Sequence, residues 1–175
     1  NEVYFKIENY PKVVIAPMQG GAYGGGLELA CSCHLRIMAE EATLGLPEVK
    51  LGLNPGWGGT QRLPRYIGKT KAVELMLTGD FMPAKDALAL GLLNKVVPAA
   101  EVLETAKKLA KKLAGGAPVA QREIMKAIRL GLETTLHEGI TKIEKAAFQT
   151  LVFTEDFKEG SKAFLEKRPA NFKGR

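Results

Sequence analysis

The sequence predicts an α/β fold in its first hundred residues, followed by a helical region. Short apolar runs typical of buried strands occupy residues 13–18, 35–39 and 94–97, and helical patterns separate them. From residue 101 onward, helical periodicity dominates. We therefore divide the chain into residues 1–100, which hold the candidate catalytic residues, and residues 101–175, which form a helical region.

The individual helices follow from hydrophobic periodicity and from chain breakers. In the first part, helices are expected at residues 71–78 and 84–90. In the second part, glycine, proline and acidic residues separate four expected helices, at residues 101–114, 119–130, 135–153 and 157–167. The third of these carries an apolar stripe that must cover another surface, made of Ile140, Ile143, Ala147 and Leu151.

Three consecutive glycines, Gly24 to Gly26, mark the most informative stretch of the chain. They follow the first apolar strand and precede residues 27–33, a segment that can start a helix. Such a junction exposes free N–H groups beside the positive end of the helix dipole. The N–H of Gly25 is therefore suited to stabilise an oxygen that gains negative charge, and Glu28 lies about one helical turn further along.

A second glutamate, Glu48, follows Pro47. Proline suits the first position of a helix and an acid is favoured in the first turn, so this pair predicts a turn or a helix start. The run PGWGGT at residues 55–60 then adds another glycine-rich backbone segment. Taken alone, Glu28 and Glu48 each have a more ordinary interpretation, as surface residues that compensate a helix dipole.

Two common nucleotide-binding motifs are not matched. The glycine triplet does not fit the pattern GxGxxG of dinucleotide-binding folds. Gly68-Lys69-Thr70 resembles the end of a phosphate-binding loop, but Leu63 stands where that loop needs its first glycine.

Four ordered motifs together resemble those of the enoyl-CoA hydratase/isomerase superfamily, which has the crotonase fold. They read GGAYGGGLELA (20–30), LGLPEVKLGLNPGWGGTQRLPR (44–65), LTGD (77–80) and EDFKEGSKAFLEKRPANFKGR (155–175). The resemblance implies a crotonase-like spiral of ββα units, with the catalytic residues in residues 1–100. It also implies that residues 101–175 form a helical trimerisation region that contacts coenzyme A (CoA).

The resemblance assigns roles to individual residues. Glu28 and Glu48 would flank the substrate double bond, with Glu28 activating water and Glu48 giving a proton to C2. Gly25 would donate its N–H to the thioester oxygen. The substrate-binding residues that the resemblance implies are Gly24, Gly56 beside the reacting water, and Phe148 and Lys167 at the adenine and phosphates of CoA.

The implied activity is that of a hydro-lyase, which adds water reversibly across the 2,3 double bond of a short-chain trans-2-enoyl-CoA in fatty acid or butyrate metabolism. An enoyl-CoA isomerase, which usually keeps one of the two glutamates, stays open as an alternative, as does a catalytically incomplete subunit or fragment. We expect no cofactor, because CoA is part of the substrate. The expected partners are copies of the same chain in a homotrimer or hexamer, in the cytoplasm or, in a eukaryote, the mitochondrial matrix.

Several positions depart from the family pattern. The segment that carries the family's second oxyanion donor lies well upstream of the glycine triplet, so we expect the chain to lack an N-terminal part. His34 stands where an aspartate commonly follows the cysteine. Tyr23, Met38 and Trp57 lie near the expected pocket, either as determinants of acyl-chain preference or as ordinary packing residues.

Composition excludes several other classes of function. The net charge of +6 arises largely in the second half of the chain, where lysines are interleaved with leucines at residues 103–113. This pattern indicates the solvated face of an amphipathic helix rather than a surface that binds nucleic acid. A basic surface also suits the phosphates of CoA. No apolar run reaches membrane-spanning length. The two cysteines indicate a reducing environment, and two histidines far apart in sequence predict no metal site.

Overall fold

The computed structural model describes all residues from 1 to 175 and divides into two compact units. The first unit comprises residues 1–10 and 14–110, and the second comprises residues 11–13 and 111–175. The division falls inside a helix, beyond the sequence-based division at residue 100. No helix of the chain has both the length and the apolar character needed to cross a membrane.

Six short strands of the first unit form two three-stranded sheets. They are β1 (Ile15–Met18), β2 (Ala22–Tyr23), β3 (Leu35–Ala39), β4 (Thr43–Gly45), β5 (Met82–Pro83) and β6 (Lys95–Val97). One sheet has the order β1-β3-β6 and is parallel throughout. The other has the order β2-β4-β5, in which β2 and β4 are parallel and β4 and β5 are antiparallel.

The chain crosses from one sheet to the other within each of its first two strand pairs. Strands β1 and β2 are followed by helix α2 (Gly25–Ser32), and β3 and β4 by helices α3 (Gly59–Ile67) and α4 (Lys69–Thr78). Each of these two turns gives one strand to each sheet before a helix returns the chain, as in the predicted spiral of ββα units. The last two strands, β5 and β6, also join different sheets, but a helix lies between them. The other helices of this unit are α1 (Glu2–Glu8), α5 (Ala84–Ala89) and the start of α6 (Val102–Ala114), with 3₁₀ helices at Pro47–Leu51 and Ala99–Glu101.

The strands predicted from apolar runs correspond to β1, β3 and β6, although β1 begins at Ile15 rather than at residue 13. The strands of the other sheet, β2, β4 and β5, have two or three residues each and are too short to show a periodic pattern. Fully buried apolar side chains pack between the elements of this unit; the largest are Leu27, Ile37, Met38, Leu44, Leu46, Leu63 and Leu92. This core fixes α2 against the strands that precede it.

The second unit is helical, as predicted. It contains α7 (Pro118–Gly131), α8 (Leu136–Glu138), a π-helical segment (Gly139–Glu144), α9 (Lys145–Val152) and α10 (Glu155–Leu165). The helix predicted over residues 135–153 is therefore one helical run whose middle is π-helical. Within residues 111–175, only Glu123, Asp156 and Ala163 are buried. Of the predicted apolar stripe, Ile140 is exposed, and the other three residues are half-buried.

Candidate active site

Helix α2 places Glu28 in its first turn, as the glycine triplet predicted. The helix starts two residues earlier than the sequence indicated, at Gly25, after Gly24 with a φ of 52°. This left-handed conformation favours glycine, and the N–H of Gly24 donates to the carbonyl of Gly45 on β4 at 3.0 Å. Glu28 is only 1% exposed, so its carboxylate faces the interior of the unit rather than solvent.

The Glu28 carboxylate is held by the glycine-rich loop of residues 55–60. Its Oε1 accepts hydrogen bonds from the N–H groups of Trp57 and Gly59, each at 2.8 Å. A β-carbon placed on Gly59 would lie 3.0 Å from this oxygen and 2.8 Å from Cβ of Pro55, so only glycine allows this approach. Two donors on one oxygen fix the carboxylate direction, and no hydrogen bond engages Oε2.

Glu48 lies at the second residue of the 3₁₀ helix that begins at Pro47. A β-carbon placed on Gly24 would lie 3.2 Å from Glu48 Oε1, so this carboxylate rests against the residue that precedes α2. Its Oε2 is buried and has no hydrogen-bond partner. The structure therefore brings Glu28 and Glu48 together at one helix N-terminus, and it leaves one buried carboxylate oxygen of Glu48 without a donor.

The predicted oxyanion donor, Gly25, occupies the first position of α2. The first N–H groups of a helix have no acceptor within the helix, and they lie at the positive end of its dipole. Tyr4 donates its hydroxyl to the carbonyl of Gly25 at 3.4 Å. Burial, followed by the charge of Glu28, raises the pKa of Tyr4.

Arg62 of α3 anchors the same loop. Its guanidinium donates to both carboxylate oxygens of Glu8, at 3.2 and 3.0 Å, and to the carbonyl of Trp57 at 2.9 Å. The backbone of Trp57 is thus held through its carbonyl by Arg62 and through its N–H by Glu28. Sequence reasoning missed Tyr4, Glu8 and Arg62, because no local pattern pairs α1 with a loop some fifty residues later.

The remaining predicted site residues are distributed over both units. Gly56 has open space where a side chain would begin, and its carbonyl accepts from Nδ2 of Asn1 at 3.5 Å. Phe148, on α9, is 64% exposed and borders an apolar groove of about 690 Å³ within the second unit. Lys167 is exposed, with a φ of 53°. The contacts of these three residues with substrate stay predictions.

Of the three bulky residues near the expected pocket, only Trp57 lies at the carboxylates. Met38 is fully buried in the core. Tyr23 packs on Phe81, with ring centroids 4.6 Å apart, and its hydroxyl is 2.7 Å from that of Thr43. Met38 is therefore a packing residue, whereas the Trp57 indole lies on Gly25 and is 52% exposed.

Two sheets joined by a ββα spiral, with a glycine triplet opening the helix that follows the first strand pair, define the crotonase fold class. The match with the family described as enoyl-CoA hydratase/isomerase extends over residues 1–175, and the chain belongs to that family.

Named relatives agree with this assignment. The chain is 48% identical over 170 residues to a probable enoyl-CoA hydratase of Bacillus subtilis, covering 97% of this chain and 66% of that protein. It is 43% identical over 168 residues to the short-chain-enoyl-CoA hydratase of Clostridium acetobutylicum, covering 96% and 64%. The crystal structure of an enoyl-CoA hydratase from Bacillus anthracis superimposes with a TM-score of 0.96 at 43% identity, covering 99% of this chain and 67% of that one. The chain thus spans about two thirds of the length of these relatives.

Proposed function

We propose that the protein is a hydro-lyase that adds water reversibly across the 2,3 double bond of a short-chain trans-2-enoyl-CoA, giving a 3-hydroxyacyl-CoA. One observation carries the proposal: Glu28 lies in the first turn of α2 and the carboxylate of Glu48 lies against Gly24, so two acids stand at the helix N-terminus that carries the N–H of Gly25. The names of relatives, including a crotonyl-CoA hydratase of Syntrophomonas wolfei at 45% identity, support the choice of substrate.

The reaction divides between the two carboxylates. Glu28 takes a proton from water as the water oxygen bonds to C3, and the electron pair of the double bond moves toward the thioester oxygen. The N–H of Gly25 and the dipole of α2 stabilise the resulting enolate; loss of one such donor costs about 2.7–4 kcal/mol in comparable sites. Glu48 then gives a proton to C2, which restores the thioester carbonyl.

The surroundings of each carboxylate suit its role. Both hydrogen bonds to Glu28 fall on Oε1, so Oε2 can approach a water molecule. The buried Oε2 of Glu48 has no protein partner and can deliver its proton to a carbon of the substrate without breaking a hydrogen bond. An isomerase moves one proton between two carbons and needs only one carboxylate, so the presence of both favours hydration.

The reaction needs no cofactor beyond the CoA of its substrate. Phe148 and Lys167, which are both exposed residues of the second unit, are proposed to contact the adenine and phosphates of CoA. Cytoplasmic location, or the matrix in a eukaryote, stays a prediction, as does a role in fatty acid or butyrate metabolism, including β-oxidation.

We also propose assembly into a homotrimer or a hexamer of two trimers. In support, the second unit buries almost none of its apolar residues, and Phe153, Phe164 and Leu165 are each at least 80% exposed. Exposed apolar surface on this scale is typical of an interaction face. Sedimentation equilibrium should give the mass of three or six chains; a monomer at micromolar concentration would contradict this proposal.

The activity is tested by the loss of ultraviolet absorbance when crotonyl-CoA is hydrated. The protein, with any residues that its gene encodes upstream, is compared with Glu28→Gln, Glu48→Gln and the exposed control Glu41→Gln. We expect both site variants to lose turnover by at least about a hundredfold while they still bind butyryl-CoA, and the control to keep full activity. Wild-type protein that binds acyl-CoA without hydrating it would favour the incomplete subunit. Isomerisation of a 3-enoyl-CoA that survives loss of one glutamate would favour the isomerase.

A further inference from the structure

The Trp57 indole lies directly on the main chain that carries the proposed oxyanion donor. A β-carbon placed on Gly25 would lie 2.7 Å from Cε3 of the indole and closer still to Cζ3. No side chain could therefore stand at position 25 without moving this ring. The close approach of indole and backbone gives the wall of the site, at the start of α2, an aromatic surface.

This indole is not a core residue. It is 52% exposed, and its aromatic neighbour is Tyr4, with ring centroids 6.2 Å apart and an angle of 21° between the planes. Tyr4 is itself tied to the Gly25 carbonyl. Buried on one side by Gly25 and Tyr4, the indole presents the rest of its apolar surface outward, where a ligand can pack against it.

The backbone of Trp57 lies beside the carboxylate that is proposed to activate water. Its N–H lies 2.8 Å from Oε1 of Glu28, the carboxylate proposed to activate the water that attacks C3. The thioester oxygen is proposed to lie at the N–H of Gly25, which the same indole adjoins. The first carbon beyond C3 therefore leaves the reaction centre next to Trp57.

We propose that Trp57 is a specificity-determining residue, whose indole limits the length of the acyl chain that the site accepts. This inference rests on the proposed hydration of enoyl-CoA. A four-carbon acyl group ends one carbon beyond C3 and fits beside the ring. Longer chains must pass the indole, and the contacts of that ring with Gly25 and Tyr4 oppose its displacement.

The test compares kcat/KM for trans-2-enoyl-CoA substrates of four and eight carbons in wild type, Trp57→Phe and Trp57→Ala. The backbone bond to Glu28 is retained in both variants, because it comes from the N–H of residue 57. We expect the eight-to-four-carbon ratio to rise on the order of tenfold or more in Trp57→Ala, with Trp57→Phe between. An unchanged eight-to-four-carbon ratio of kcat/KM in both variants overturns the proposal. If Trp57→Ala does not fold, the comparison of Trp57→Phe with the wild type decides the question.

A binding measurement separates this inference from the proposed activity. Trp57 is the chain's single tryptophan, so its fluorescence should change when a non-reactive saturated acyl-CoA packs against it. Isothermal titration then gives the affinities of butyryl-CoA and octanoyl-CoA for wild type and Trp57→Ala. If no enoyl-CoA is hydrated, the proposed activity is wrong. A preference for butyryl-CoA over octanoyl-CoA that is lost in Trp57→Ala would still support the role of Trp57 in limiting chain length. If the substitution leaves the two affinities in the same proportion, Trp57 does not limit chain length.

Discussion

Removal of the Glu28 side chain should destabilise the protein through the loop that this carboxylate holds. In Glu28→Ala, the N–H groups of Trp57 and Gly59 lose the oxygen to which both donate at 2.8 Å. The Gly59 donor is buried and the Trp57 donor is partly buried. A hydrogen bond to a charged group contributes about 1.5–3 kcal/mol. Since water can reach the Trp57 donor, we expect the free energy of unfolding to fall by about 3–5 kcal/mol.

Glu28→Gln separates this structural role from the chemistry. The amide oxygen of glutamine can accept from both N–H groups, so the loop keeps its bonds but loses the charge that strengthens them. Because the buried charge also disappears, together with its desolvation cost, we expect a loss of no more than about 2 kcal/mol. Glu28→Gln should therefore be folded and inactive, whereas Glu28→Ala should be inactive and markedly less stable.

Urea unfolding measures the difference, with far-ultraviolet circular dichroism reporting the helices and fluorescence of Trp57 reporting the loop. The exposed control Glu41→Ala should change the free energy of unfolding by less than about 0.5 kcal/mol. If Glu28→Ala and Glu28→Gln lose the same stability, the two N–H bonds to Glu28 do not hold the loop.

Two further predictions concern other parts of the chain. His34 accepts the N–H of Val14 at its Nδ1. Burial, followed by the charge of Arg36, lowers the pKa of His34 below the ordinary 6.5, against the opposing effect of Glu8. The free energy of unfolding of the wild type, measured by urea titration at pH 7.5 and 5, should therefore fall relative to that of His34→Asn as the pH drops below about 6.5. The buried carboxylate of Asp156 accepts hydrogen bonds from the N–H groups of Lys173 and Gly174. Asp156→Ala should therefore free the C-terminal tail and speed its tryptic cleavage by on the order of a hundredfold, with an intermediate rate for Asp156→Asn. Equal cleavage rates in the wild type and Asp156→Ala would show that the carboxylate does not hold the tail.

Local sequence was sufficient for the elements that are long and regular. The apolar runs predicted β1, β3 and β6, and the helical periodicity predicted the helices of the second unit, because burial of one face imposes a pattern on neighbouring residues. The glycine triplet likewise predicted a helix N-terminus with Glu28 in its first turn. The pairing of Glu28 with Glu48 came instead from the resemblance to a family, since spacing alone does not bring two distant segments together.

Tertiary structure decided the contacts that join distant segments. Strands of two or three residues, such as β2 and β5, are fixed by their ladder partners rather than by their own sequence. The N–H groups that orient Glu28, and the guanidinium of Arg62 that holds their loop, act across separations that no periodic pattern records. The position of Trp57 is the clearest case: its sequence context allowed either packing or substrate contact, and only the fold places its indole on Gly25. The sequence therefore determined the two carboxylates and the glycine-rich segments of the site. Packing determined which groups touch and added Tyr4, Glu8 and Arg62, because hydrophobic periodicity specifies the face that a residue occupies and not its partner on the opposing element.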